Sequence, residues 1–148
     1  NEFEASTVLF YTGVSRKSAE IIEDQIASIK SKGSSLDAMH ELKKTAYQIK
    51  ASLLRGSIPD LAIGLKASWE AKKATSSSIS NAQIRNLERI IMSAGAVSMK
   101  VSGAGGGGFI MILTTPEKKH DVIEALGGQN GQVVKFEFTS GGVMSWRT

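Results

Sequence analysis

The chain has 148 residues, 41% of them apolar and 22% charged, with a formal net charge of +4; that is enough chain to bury roughly 68–70% of its extended surface around one core without disulfides or metals. It contains no cysteine, so thiolate zinc sites, Fe–S clusters and Cys nucleophiles are excluded and a reducing, cytoplasmic setting is expected. Its basic residues are evenly spread, 11 against 9 acids in residues 1–74 and 7 against 5 in residues 75–148, and its longest apolar run is only Phe109–Leu113, so neither a nucleic-acid surface nor a membrane span is expected. His40 and His120 have no neighbouring ligand pattern, and no metal site is expected.

Residues 7–12 are β-branched and aromatic and stop at Thr12-Gly13, which predicts a first strand almost at the start of a chain that begins with Asn1. A strand so close to a non-Met start points to a piece of a longer protein. Ser15 is a fitting N-cap for a helix that carries Ala19, Ile22, Ile26 and Ile29 on one face and stops at Gly33. A second helix runs from about Leu36 to Arg55-Gly56, capped by Ser34 or Ser35, with Leu36, Met39, Leu42, Ala46, Ile49 and Leu53 on its apolar face. Ser57-Ile-Pro59 opens a third, because proline in the first turn forfeits no helical hydrogen bond; Leu61, Leu65 and Trp69 are its buried residues. The Ser-rich stretch 75–80 reads as a connecting or functional loop, and Asn81 caps a fourth helix with Ile84, Leu87, Ile91 and Ala94 in phase and Gly95 at its end.

The period then changes from helix to strand. Val97–Val101 and Phe109–Thr115 are strand signals flanking Ser102–Gly108; Thr115-Pro116 opens a last helix to Leu126; Val133–Phe138 alternates as a half-buried strand, with a short closing strand at Val143–Trp146. The order implies an α+β fold. It is a ferredoxin-like split βαβ sheet, mainly antiparallel, with the first crossover expanded into a helical bundle and the helices on one face.

Lys100-Val-Ser-Gly-Ala-Gly-Gly-Gly-Gly-Phe109 places five glycines in six positions, removing side chains where the backbone turns sharply and a ligand or neighbouring backbone comes close. A Walker A loop requires Lys and Ser/Thr after its last glycine, and Phe109 stands there instead. Gly103, Gly105 and Gly108 satisfy G-x-G-x-x-G, but a dinucleotide site requires a helix to open at the third glycine, whereas a strand signal follows. A β-hairpin with an exposed, bare-backbone loop remains; the alternative is a glycine-rich turn without a ligand. Arg16 sits between a turn and a helix N-terminus, where guanidinium and amides both favour an anion, the alternative being a surface ion pair. Lys72 and Lys73 end the third helix, where the helix dipole alone favours cations.

The segment 100–109 resembles the third motif of the GHMP kinases, the superfamily of galactokinase, homoserine kinase and mevalonate kinase. Ile79-Ser-Asn81 and Gly95-Ala96 resemble the approach to that motif in sugar kinases. Thr12-Gly-Val-Ser-Arg16, Met39-His-Glu-Leu42 and Trp69-Glu-Ala-Lys-Lys73 are most similar to the branch that acts on D-glycero-D-manno-heptose 7-phosphate. The likeness spans the whole chain, but only as the C-terminal half of such a kinase: the Pro-x-x-x-Gly-Leu-Gly-Ser-Ser-Ala loop that wraps ATP phosphates does not occur.

The resemblance implies one domain over residues 1–148, completed by an ATP-binding N-terminal domain. It implies ATP and Mg2+ in the intact enzyme, none bound tightly by this chain alone, and a small sugar phosphate as acceptor. Ser102, Gly103, Ala104, Gly105, Gly106, Gly107 and Gly108 would lie beside the nucleotide phosphates, and Arg16, Lys72 and Ser102 would contact the sugar phosphate. For Ser102, satisfying the turn backbone is an equal alternative. No catalytic acid or base can be carried over, so the isolated chain is expected to be inactive. A hexose or isoprenoid-alcohol acceptor, or a non-catalytic regulatory domain on the same frame, are the alternatives.

Overall fold

A computed structural model describes residues 2–14, 18–31 and 33–147. The elements follow as α1 (Glu2–Ala5), β1 (Thr7–Tyr11), α2 (Ser18–Ser31), α3 (Gly33–Arg55), α4 (Ile58–Thr75), α5 (Ala82–Ser93), β2 (Ser98–Val101), β3 (Phe109–Leu113), α6 (Lys119–Leu126) and β4 (Gln132–Val134). The sheet has the order β2-β3-β1-β4 and every pairing is antiparallel, with Phe10 opposite Ile110 and Val133, and Met99 opposite Ile112. This is the expected split-βαβ sheet: β1 and β2 are separated by β3, and α2–α5 fill the first crossover.

The two faces of the sheet are covered differently. Val8, Phe10, Met99, Val101, Ile110 and Ile112 project to one side and are buried with Ile84, Leu87 and Ile91 of α5 and Val122 and Leu126 of α6. On the other side Leu113 packs with Leu61, Ala62 and Leu65 of α4. The expectation that all helices share one face is therefore corrected. The long α4 needs a second apolar surface, and the alternate residues of β3 supply it.

Local chemistry sets the helix ends. Ser57 accepts the amide of Asp60 at the start of α4, with Pro59 in the first turn, and Asn81 Oδ1 accepts the amide of Ile84 at 2.9 Å; each such cap contributes about 1 kcal/mol. Two expected boundaries change. Gly33 begins α3 rather than ending α2, so Ser34 and Ser35 lie inside a helix, and the Ser15 cap lies outside the described residues.

The apolar faces of α2 and α3 also differ from expectation. Ile22, Ile26, Leu36, Met39 and Leu53 are exposed, whereas Ile21, Ser35, Ala38, Thr45 and Ser52 are buried. Gly64 of α4 lies so close to α3 that a Cβ there would stand 2.8 Å from Ile49 Cγ1, and Ile49, a residue of the expected stripe, is partly buried against Leu61, Ala62 and Leu65. Close approach of the two helices selects a glycine at this contact.

The expected strand Val133–Phe138 ends at Val134, and no strand forms at 143–146. The chain leaves β1 because aromatic contacts compete for it: Phe138 stacks on Phe3 of α1 at 5.2 Å, Phe136 meets Phe138 edge-on, and the Phe138 amide donates to Glu4 Oε2.

Candidate functional site

β2 and β3 form a hairpin in register from Val101↔Ile110 to Ser98↔Leu113, closed by the Ser102 amide donating to Phe109 O at 2.8 Å. No helix opens at Gly108, which leaves the dinucleotide reading without its structural requirement. Between the strands, Gly103, Gly105, Gly106 and Gly108 have φ of 74°, 114°, 73° and 85°, a region in which L side chains are strained. The glycine composition is thus a conformational requirement.

Only the first part of the loop is open. Ser102 and Gly103 are exposed, whereas Gly105, Gly106 and Gly107 are buried, so the expectation of an exposed loop backbone is corrected. The reason is a set of contacts from distant segments. The Gly106 amide donates to Ile79 O at 2.8 Å and Gly106 O accepts from Asn81 Nδ2 at 2.8 Å, pinning the loop to the turn before α5. The Gly108 amide donates to Val14 O at 2.9 Å and to Thr12 Oγ1, and Thr12 donates back to Gly108 O. A Cβ on Gly107 would stand 2.9 Å from Val14 O, and one on Gly105 would stand 3.0 Å from Ile79 Cγ2. Among the described residues, the amides of Gly103, Ala104, Gly105 and Gly107 have no protein acceptor. A buried amide without a partner costs roughly 1–3 kcal/mol, a cost that an anion or a neighbouring chain's carbonyl would remove.

Lys72 is the buried cation of the site. From the last turn of α4 its Nζ donates to Val101 O at 3.0 Å and to Gly103 O, bracketing Ser102 from below. Lys73 points the other way, to Glu70 at 2.8 Å and Glu88 at 3.0 Å, over the ring of buried Trp69, whose Nε1 also donates to Glu88. Burial works against its charge, yet those two carboxylates hold Lys73 above the usual lysine value. Lys100, from β2, donates to Ser68 Oγ of α4, and burial lowers its pKa. Arg16 lies outside the described residues. Sequence reasoning missed Thr12, the second role of Asn81, and Lys100, which in an alternating strand reads as a solvated position.

Burial, and after it the nearby charge of Lys100, push Lys72 down to about 8 from 10.5. At this residue the folded state therefore holds fewer protons than the unfolded chain between those values, and the contribution of Lys72 to stability rises with pH through that window. The penalty is complete below about pH 8 and is on the order of 3 kcal/mol. Urea denaturation at about pH 7 and about pH 9.5 should show a more favourable stability change in the wild type than in Lys72→Met; equal pH responses in the two proteins would contradict it.

The fold and the glycine hairpin together define an α+β domain that carries a side-chain-free loop between two antiparallel strands. Residues 49–132 match the family model of the GHMP kinase C-terminal domain, and the chain belongs to that family. It is 39% identical over 99% of its length to the D-glycero-alpha-D-manno-heptose 7-phosphate kinase of Campylobacter jejuni, of which it spans 43%. It is also similar to the crystal structure of a D-glycero-D-manno-heptose 1-phosphate kinase from Bacteroides thetaiotaomicron, with 31% identity, TM-score 0.56, and coverage of 90% of this chain and 32% of that one. The fold is shared with L. major mevalonate kinase at TM-score 0.73 and 17% identity, over 81% of this chain and 37% of that one.

Proposed function

We propose that residues 1–148 are the C-terminal domain of an ATP-dependent sugar kinase that transfers a phosphoryl group to a sugar hydroxyl, the anomeric oxygen of D-glycero-D-manno-heptose 7-phosphate. The observation that carries this reading is the 39% identity to a heptose 7-phosphate kinase along 99% of the chain. Two relatives are a heptose 7-phosphate kinase and a heptose 1-phosphate kinase, which favours a heptose phosphate acceptor over a hexose or an isoprenoid alcohol. The absence of cysteine accords with work in the cytoplasm.

Phosphoryl transfer is mainly a matter of positioning and of neutralising charge. ATP would supply the transferred group, and the loop Ser102–Gly108 would lie beside its phosphates: at its accessible end the amides of Gly103 and Ala104 have no protein acceptor among the described residues. The Ser102 hydroxyl is exposed at the open end of the loop, where it can donate to nucleotide or acceptor. Lys72 holds the two carbonyls on either side of Ser102 and so fixes where that hydroxyl sits. Mg2+ would accompany ATP in the intact enzyme, held largely by the nucleotide phosphates and water. Val14, bonded to the loop, precedes Arg16 by two residues, which supports Arg16 as a ligand for the acceptor's own phosphate.

The test is kinetic. In a protein that joins this domain to its ATP-binding half, Arg16→Ala should raise the KM of heptose 7-phosphate roughly ten-fold or more and leave that of ATP nearly unchanged, the loss of a charge-assisted pair of about 1.5–3 kcal/mol. Equal effects on both substrates would remove Arg16 from the site. Turnover with mevalonate or a hexose but not with the heptose phosphate would reassign the acceptor.

A further inference from the structure

Next to the open end of the glycine loop lies a groove of about 360 Å3, walled by Gln25 of α2, Met39 and Leu42 of α3, and floored by Lys72 and Lys100. Its charge is one-sided. Neither lysine is paired with a carboxylate among the described residues, and no Asp or Glu lines the groove. This contrasts with Lys73 on the same turn of α4, which has two carboxylate partners.

The hydrogen bonds of the two ammonium groups are incomplete. An ammonium carries three N–H donors; Lys72 uses two on Val101 O and Gly103 O, and Lys100 uses one on Ser68 Oγ. Three donors therefore remain between two neighbouring cations, Lys72 buried and Lys100 half-buried. Holding like charges together away from water is costly, and a bound anion is the usual compensation. The walls are a neutral amide and two apolar side chains, and the exposed Ser102 stands at the lip. A small anion attached to an uncharged body matches that lining.

We propose that this groove binds a phosphate monoester through the ammonium groups of Lys72 and Lys100. Because Lys72 also holds Gly103 O, occupancy of the groove is linked to the position of the glycine loop. The anion site stands on its own observations; its identification with the acceptor sugar's phosphate, rather than a phosphate of the nucleotide, rests on the proposed kinase function.

Titration of inorganic phosphate into the 148-residue chain, followed by calorimetry at constant ionic strength, tests the site directly. Saturable one-to-one binding is expected, weakened at least ten-fold in Lys100→Met and in Lys72→Met, retained in Lys100→Arg, and unchanged in Lys73→Met. Absence of saturable binding by the wild-type chain, or undiminished binding by a folded Lys100→Met, would overturn the proposal. In the two-domain protein, Lys100→Met should raise the KM of heptose 7-phosphate ten-fold or more with little change for ATP. A rise confined to ATP would overturn the acceptor assignment and give the groove to the nucleotide. Phosphate binding by the chain without any kinase activity in the two-domain protein would leave the site standing and defeat the kinase reading alone.

Discussion

Replacing Gly106 with valine, in a protein that carries this domain together with its ATP-binding half, is expected to lower turnover at least ten-fold while the domain still folds. Gly106 has φ of 73°, where an L residue pays about 1–2 kcal/mol and a β-branched one more. Its amide and carbonyl are the two points at which the loop is tied to the turn before α5, through Ile79 O and Asn81 Nδ2. A valine can relieve its strain only by releasing one of these bonds and moving the loop. Loss of positioning by an ångström is sufficient for the expected effect, since ten-fold in rate is only about 1.4 kcal/mol. The sheet and its core lie outside the loop, so the far-ultraviolet circular dichroism should be unchanged. The quantity to measure is kcat at saturating ATP and acceptor, and an unimpaired folded variant would show that the loop backbone takes no part in transfer.

A second large effect is expected for stability at Gly131. Its φ is 139°, and a Cβ there would overlap Tyr11 O and lie 2.5 Å from Phe10 Cζ. Both obstacles belong to β1, the central strand that pairs with β3 and β4. Neither can yield: one is backbone and the other is a fully buried ring. Gly131→Ala must therefore displace the start of β4 from β1, at about 2–4 kcal/mol. Gly128→Ala, with open space around the added methyl, should change stability by about 0.5 kcal/mol or less. Paired urea melts of the two variants decide it; similar midpoints would contradict the packing around Gly131.

Much of the fold was legible because several local signals agree with the tertiary solution. Asn81 before a helical period, Pro59 in a first turn, and strand patterning on both sides of the glycine run each specify an element by backbone chemistry alone. What could not be read was which face of an element meets which neighbour. In α3 the apolar stripe through Leu36, Met39 and Leu53 is the stronger periodic signal, yet those residues are exposed while Ala38, Thr45 and Ser52 are buried. That choice depends on how closely two backbones approach, and no single-segment pattern encodes it.

The candidate site divides along the same line. The loop residues were visible as glycines, because a left-handed backbone leaves a compositional trace. Burial of Gly105–Gly107 was not visible, since the covering atoms come from Thr12, Val14 and Ile79, far away in sequence. Lys72 was legible as a cation at a helix end, but its burial against Val101 and Gly103 depends on where α4 crosses β2. Lys100 left no signal of its own.

Under the proposed function, this chain supplies one half of a sugar kinase, holding and shaping the site with its glycine loop while the ATP-wrapping half is contributed by another domain. The direct measurement is heptose 7-phosphate-dependent release of ADP from ATP, compared between the 148-residue chain and the same sequence joined to a GHMP N-terminal half. Sugar-dependent ADP release by the joined protein and none by the chain alone is the predicted result. Sugar-dependent release by the isolated chain, or none by the folded joined protein with any GHMP acceptor, would contradict it.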